Sequence, residues 1–304
     1  MSVPESAECP PPTRVADLHL HTRYSDGTFT PQELVAHARA EGLAAIALTD
    51  HDTVDGCPET AEACQANGIE FIPGAEITAE IGGQEVHVLG YWLDTESPVL
   101  RERFTEFQAI RTGRIHGMVR QLNERGVPLE VESVFEVAQC KSPGRPHLAR
   151  ALVKGGFCRD FDDAFERYLK KGRAGWVPKP MIPAAAAIEL IHASGGVAVL
   201  AHPGLYRADR LVGEAARAGI DGVECWHTKH TPEASKRYHS LARELNLVAT
   251  GGSDCHGNSK GQPLIGSVRL PYEQVIRLRE RRPAAKAALT PTGAVLAVHA
   301  DGIA

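Results

Sequence analysis

The chain of 304 residues carries 33 Lys and Arg against 38 Asp and Glu, a formal net charge of −5, with 43 % hydrophobic and 23 % charged residues. This composition suits a globular protein of one large domain or two ordinary ones; it excludes a disordered chain and, with 29 glycines and 20 prolines, a collagen-like one. No apolar run approaches the ~20 residues of a membrane span, and the opening MSVPESAECPPP lacks the cationic and then apolar order of a secretory signal.

In chain order, Val15–His21 (VADLHLH) alternates like a short strand. Thr30-Pro31-Gln32-Glu33 is a capping box with proline at the first helical position, and Gly42 is the expected stop of that helix. Leu43–Thr49 reads as a buried strand, Glu59–Asn67 as a helix ending at Gly68, and Ile69–Ile77 and Val86–Leu93 as further strands. After a long interruption the alternation returns. Helices are expected over Ala184–Ala193, Leu211–Ala218 and Pro232–Leu245, and strands over Val197–Ala201, Ile220–Trp226 and Leu247–Thr250. Alternating strands and helices predict an α/β protein with a largely parallel sheet, open or closed into a barrel.

The interruption, residues 101–180, is helix-rich and holds 16 Lys and Arg against 10 Asp and Glu, net +6, leaving −11 for the rest. An acidic body with a basic insertion predicts a cap that steers an anionic substrate. The organisation expected is thus a discontinuous main domain over 13–100 and 181–282, the insertion between, and an Ala-rich tail 283–304 without clear pattern. The seven cysteines (Cys9, Cys57, Cys64, Cys140, Cys158, Cys225, Cys255) form no Cys-x-x-Cys pair. They are expected as reduced thiols in a cytoplasm rather than as zinc ligands.

Histidine is the unusual residue: there are 14, many beside carboxylates. Each candidate strand ends in metal-binding types. The first gives Asp17, His19 and His21, with Asp26 in the loop beyond; the next gives Asp50 and His51; then come Glu76, His87, His202, Glu224, Asp254 and His256. Ligands gather at the carboxyl ends of strands in parallel α/β sheets, so the repetition outweighs any single residue. Residues two apart on a strand share a face, roughly 7 Å apart, so His19 and His21 can reach one ion or two neighbours, and Asp254 and His256 repeat the spacing. Imidazole and carboxylate without thiolate suit Mn²⁺, Fe or Zn²⁺ in a hydrolytic site. Glu76 is a natural bridging carboxylate, and Asp17 and Asp50 are spaced to orient neighbouring imidazoles by accepting from them. His37, His116, His192 and His239 fall within helical patterns and read as surface or packing residues. His227 and His230 follow a strand end and stay open between a substrate role and a structural one; His299, in the tail, is given none.

The segments DLHLHTRYSDGT, ALTDHDTVDG, GAEIT, VHVLGY, AHPG and GGSDCHG together resemble the PHP (polymerase and histidinol phosphatase) family of amidohydrolase-like hydrolases. SDGT and RPHLA look most like the TrpH-like metal-dependent phosphoesterases and 3′,5′-nucleoside bisphosphate phosphatases within it. The resemblance implies a distorted (β/α)7 barrel with a helical insertion and up to three divalent ions, manganese first and iron or zinc as alternatives. Carried over, it implies one ion on His19, His21, Glu76 and Asp254, a second on Glu76, His87 and His202, and a third on Asp26, His51 and His256. Arg145 and His147 of RPHLA are assigned to substrate phosphate, with Lys141, Lys179 and Arg173 as candidates for a second anionic group.

The expected reaction is in-line attack on phosphorus by water that the metal ions acidify. The leading substrate is a nucleoside 3′,5′-bisphosphate, such as adenosine 3′,5′-bisphosphate, losing its 3′-phosphate. A 5′→3′ exoribonuclease on short RNA stands second, because 6 % aromatic residues and a net negative charge do not favour a long nucleic-acid track. Histidinol phosphate phosphatase stands third and peptide or amide hydrolysis a distant fourth; the reading from another class is a metal-stabilised interaction module without catalysis. A small nucleotide is the expected partner, with no membrane and no obligate protein partner.

Overall fold

The computed structural model describes residues 14–283. The tail beyond, with His299, and the opening residues with Cys9 lie outside the described residues. The first half runs β1 (Val15–Leu20), α1 (Pro31–Ala40), β2 (Ala45–Leu48), α2 (Cys57–Asn67), β3 (Glu70–Ile81) and β4 (Gln84–Tyr91). The capping box forms as the sequence predicts: Glu33 N donates to Thr30 Oγ1 at 3.2 Å and Thr30 N to Glu33 Oε2 at 2.8 Å. Gly68, at φ 67, ends α2 in the left-handed region that glycine tolerates.

Four helices follow, α3 (Pro98–Asn123), α4 (Val131–Ala138), α5 (Arg145–Lys154) and α6 (Phe161–Ala164), the last running into a π-turn over Phe165–Leu169. The chain then resumes with β5 (Ile182–Pro183), α7 (Ala184–Ala193), β6 (Val197–Leu200), α8 (Arg210–Arg217), β7 (Gly222–His227), α9 (Pro232–Glu244), β8 (Val248–Gly252), β9 (Leu270–Pro271) and α10 (Tyr272–Arg279).

Seven strands wrap in the order β8-β7-β6-β4-β3-β2-β1, and Leu20 at the end of β1 bridges in parallel to Cys255 just past β8, nearly closing the sheet. The distorted seven-stranded α/β barrel is therefore the architecture present. The distortion is β4, which alone among the seven runs antiparallel to its neighbours β3 and β6. β3 is longer than its sequence pattern predicts: it passes Glu76 without stopping and turns back through Gly82 and Gly83, at φ 57 and 76. Glu76 is thus mid-strand, and His87 lies on a reversed strand rather than at a carboxyl end. The extra residues persist because Ile77, Ala79, Val86 and Val88 of this hairpin are fully buried.

The core follows the two-residue strand period. Ile46, Leu48, Ala198 and Leu200 pack with α1 and α7 through Leu34, Val35, Ile188 and Ile191. Ala45, Ala47, Leu89, Tyr91, Val197 and Val199 meet on the opposite face, with Val275 and Leu278 of α10. The insertion has an apolar cluster of its own, including Ile115, Met118, Leu122, Val134, Leu148, Leu152 and Leu169. α3 joins the two bodies, since its first turns put Leu100, Phe104 and Phe107 in the barrel's outer core. No helix among the described residues is long and apolar enough to cross a membrane.

Candidate metal centre

The mouth of the barrel gathers the predicted residues around one carboxylate. Glu76 Oε2 lies 3.2 Å from His19 Nε2, 3.2 Å from His21 Nε2 and 3.3 Å from His51 Nδ1. Its Oε1 lies 2.5 Å from His87 Nδ1 and 3.1 Å from His202 Nε2. Five imidazoles from β1, β4 and the ends of β2 and β6 therefore converge on the middle of β3. Asp254 Oδ1 sits 3.5 Å from His19 and 3.3 Å from His21, and Asp26 Oδ1 3.1 Å from His256 Nε2. Close approach is built into the backbone as well: a Cβ on Gly252 would collide with His19 and one on Gly251 with the Trp226 carbonyl, which explains the glycine pair before Ser253.

These atoms fall into sets with metal-sized spacing. His19, His21, Glu76 and Asp254 form one, and His21, Asp26, His51 and His256 another. A third holds Glu76 and His87 with His51 and a fourth His19 with Glu224 and His227, while His202 Nε2 belongs to none of them and lies 3.1 Å from Glu76 Oε1. Both ring nitrogens of His21, Nδ1 of His51 and Nδ1 of His202 are buried without a hydrogen-bond partner. A buried polar atom left unmade costs about 1–3 kcal/mol, and so many in one place fit a donor set that cations complete.

Charge accumulates accordingly. Burial pushes the Glu76 carboxyl up, but the imidazoles of His51, His87 and His19 outweigh it and hold it well below the usual carboxylate range. Asp26 and Asp254 are also held well below it against their burial, chiefly by His256, with His51 acting on Asp26 and His19 on Asp254. Burial lowers His51 to about 3, whereas at His87 the attraction of Glu76 overcomes burial and raises it to about 9. The cluster is thus rich in ionised carboxylate, as a cation site requires.

Two expectations change. Neither Asp17 nor Asp50 accepts a hydrogen bond from an imidazole among the described residues. Asp17 accepts from the backbone amides of His19, Ser253 and Gly266, at 3.3, 2.8 and 3.0 Å, so it ties β1 to the turn after β8. Asp50 accepts from Thr22 N, Thr22 Oγ1 and Ser25 Oγ, fixing the loop that carries Asp26. The carboxylate that orients an imidazole is Glu224 of β7: its Oε1 is 3.1 Å from His19 Nδ1 and its Oε2 accepts from His202 N at 2.7 Å. Its position near a strand end was the available signal, but a lone Glu in a strand does not announce its partner.

Beside His51 and His87, under the insertion, lies a cavity of about 130 Å³ whose lining includes Arg111, Arg114, Arg145, Lys179, Glu85 and Asp26. Arg145, assigned to substrate phosphate, and Lys179, a candidate for a second anionic group, both line it. Arg111 and Arg114, on the face of α3 turned to the barrel, were missed because a 26-residue helix with many charges gives no sign of which turn meets the site. Asp52 pairs with Arg111 Nε at 2.6 Å and Lys179 Nζ at 3.2 Å. Burial lowers Lys179 to about 8 and Arg114 to about 10, Arg145 adding to the latter.

The other three basic candidates do not join. His147 is buried, its Nδ1 accepts from Gly144 N at 3.0 Å, and burial holds it near 4 as a neutral ring. It fastens the start of α5 and does not line the cavity, so its assignment to phosphate is corrected. Lys141 is exposed and pairs with Asp55 at 3.0 Å, and Arg173 is exposed outside the cavity lining. The helical histidines behave as read: His37 stacks on Phe29, His116 and His239 pack against Phe135 and Trp226, and His192 pairs with Asp221.

Comparison with known proteins gives the family. The profile of the PHP domain matches residues 17–171. The chain is 34 % identical over 249 residues to the 5′-3′ exoribonuclease Rnm of Escherichia coli K12, covering 80 % of this chain and 85 % of that protein. It is 34 % identical over 263 residues to the 3′,5′-nucleoside bisphosphate phosphatase of Chromobacterium violaceum, covering 82 % and 90 %. The solved structure of a proposed metal-dependent phosphoesterase from Bifidobacterium adolescentis superposes with a TM-score of 0.83 at 33 % identity, covering 90 % of this chain and 99 % of that one. The chain belongs to the PHP domain family.

Proposed function

We propose that this chain is a metal-dependent phosphoesterase that removes the 3′-phosphate from nucleoside 3′,5′-bisphosphates. The observation that carries the reading is the adjacency of the carboxylate–imidazole cluster to a small cavity ringed by four cationic side chains. Asp52 and Glu85 offset two of those four charges and Asp26, in the same lining, is assigned to an ion, which leaves about two positive charges for a phosphate dianion. Arg145 and Arg114 hold the 5′-phosphate, and residues 101–180 act as the cap that brings them over the barrel.

The proposed ligands are His19, His21, Glu76 and Asp254 for one ion, Glu76, His87 and His202 for a second, and Asp26, His51 and His256 for a third, with manganese first in order. Divalent ions bound there supply Lewis-acid activation of water and neutralise charge on the phosphoryl oxygens. The protein's own part is positional. Glu224 fixes the His19 ring, Asp50 and Asp17 fix the loops carrying Asp26 and Asp254, and the cavity sets the distance between the two phosphates.

A 5′→3′ exoribonuclease on short RNA is the second reading, and one observation favours it. On the other side of Asp26 a wider opening of about 510 Å³ reaches Asp254 and His256, with Phe161, Lys170 and Lys229 in its lining. Both reactions break the bond between phosphorus and O3′ of a 5′-phosphorylated nucleoside; they differ in whether a further nucleotide extends beyond the scissile phosphorus. That opening has room for one. The six described cysteines are unpaired, in keeping with the cytoplasmic location we propose.

The test is phosphate release from adenosine 3′,5′-bisphosphate by Mn²⁺-loaded protein, with a 5′-phosphorylated RNA oligomer run beside it and His19→Ala as the blank. Release of phosphate and 5′-AMP, absent in the variant, is expected. Mononucleotides from the oligomer without phosphate release from the bisphosphate would replace the first reading by the second.

A further inference from the structure

β7 supplies no residue to the three proposed ligand sets, yet it lies between β6 and β8, whose following turns carry His202 and Asp254. Both residues have left-handed backbone, His202 at φ 28 and Asp254 at φ 54. Such a conformation costs a non-glycine residue roughly 1–3 kcal/mol and persists only where the surroundings impose it. Beside Glu224 on His202 N and Asp17 on Ser253 N, what meets both turns is the segment His227-Thr228-Lys229-His230 at the end of β7.

On the β8 side, His227 Nδ1 accepts from Lys229 N at 3.1 Å, which leaves the ring proton on Nε2; that nitrogen is buried without a hydrogen-bond partner and lies 3.4 Å from Asp254 Oδ2. Thr228 Oγ1 donates to the carbonyl of Ser253 at 3.1 Å. On the β6 side, His230 Nε2 accepts from Gly204 N at 3.1 Å, while Nδ1 is 2.9 Å from the carbonyl of Cys225. That contact leaves no room for a side chain at position 204, where a Cβ would sit 2.6 Å from His230 Cδ2. Each strained turn is therefore met by one histidine of the same four-residue segment, His230 by a hydrogen bond and His227 by close approach beside the Thr228 hydrogen bond.

We infer that His227 and His230 are positioning residues that brace the two turns and so set Asp254 and His202 in place for cation binding. The inference rests on the metal-centre reading above. Neither ring needs to touch substrate: His227 stands against the second oxygen of Asp254, and His230 fixes the backbone two residues past His202.

The test titrates Mn²⁺ into the metal-stripped full chain by calorimetry and follows thermal melting of the same metal-free protein. His227→Leu and His230→Leu are each expected to weaken Mn²⁺ binding about 10- to 100-fold, the usual effect of losing a group that orients a ligand. The metal-free Tm is expected to stay within a few degrees. His227→Gln keeps a polar N–H facing Asp254 and His230→Gln can still accept from Gly204, so both should recover most of the affinity. Unchanged Mn²⁺ binding in the Leu variants, alongside its loss in His19→Ala, overturns the brace. So does a large fall in metal-free Tm without rescue by Gln, which would make the segment a support of the fold alone. Full Mn²⁺ binding by His19→Ala would instead overturn the metal-centre reading itself.

Discussion

The barrel mouth and the helical insertion border the same cavity, but they place their side chains by different means. At the mouth, His19, His21, His51, His202, Asp254 and His256 sit at or just beyond the ends of strands whose neighbours are fixed by backbone pairing. Strand register brings His19, His21, His51, His202 and Asp254 to the neighbourhood of Glu76, and His256 to that of Asp26. In the insertion, Arg111, Arg114 and Arg145 come from two helices with no shared ladder, and their convergence depends on how α3 and α5 pack over the barrel. A strand end is an address that sequence can state; a helix face acquires one only on docking.

The comparison breaks most sharply at Glu76. Glu76→Gln, or His19→Ala, should remove bound metal and lower turnover by at least about 10³-fold, the kinetic equivalent of several kcal/mol of charge stabilisation. Metal content and kcat measured on the same sample check it, and retained turnover would refute a catalytic role for the cluster. Arg145→Ala should leave metal content intact and raise KM by about 10- to 100-fold, as expected for a charged hydrogen bond of about 1.5–3 kcal/mol. Loss of metal in that variant would show that the two regions are not separable.

A smaller effect follows from Lys179, which burial lowers to about 8. It is charged below that pH and neutral above, while a substrate phosphate is already a dianion above about pH 7. KM should therefore rise several-fold between pH 7 and 9, and Lys179→Arg, charged throughout, should flatten the profile. The smallest effects belong to Lys141→Ala and Arg173→Ala. Both side chains are exposed and outside the cavity, so stability should move by less than about 0.5 kcal/mol, and KM by less than about twofold. A large KM change in either would redraw the cap.

Much of the site was legible, and the limits have physical causes. The alternation of strands and helices, the capping box at Thr30 and the glycine stop at Gly68 are local, so apart from the far end of β3 they appear in the structure within a residue or two of their predicted ends. Glu76 was legible as a shared carboxylate but not as a mid-strand residue, because the reach of β3 depends on burying Ile77 and Ala79 against β4 and α7. His147 misled for a related reason. A histidine next to an arginine in a basic stretch looks like an anion contact, but the turn into α5 points its ring at Gly144 N instead. Asp17 and Asp50 were placed beside the right residues and given the wrong acceptor role, since spacing along a chain does not distinguish a backbone amide from an imidazole as donor.

The sequence by itself determined the α/β alternation, the family, the histidines and carboxylates at the strand ends and the basic character of residues 101–180, because each is written in spacing or composition. Tertiary structure alone decided that β4 runs backwards, that Glu224 rather than Asp17 or Asp50 orients His19, that Arg111 and Arg114 join the cavity, and that His227 and His230 face the turns beside them. Those facts depend on which groups meet across gaps of up to about two hundred residues, as His19 and Glu224 do. Contacts of that range are fixed by packing and closure of the sheet, and no local pattern encodes them.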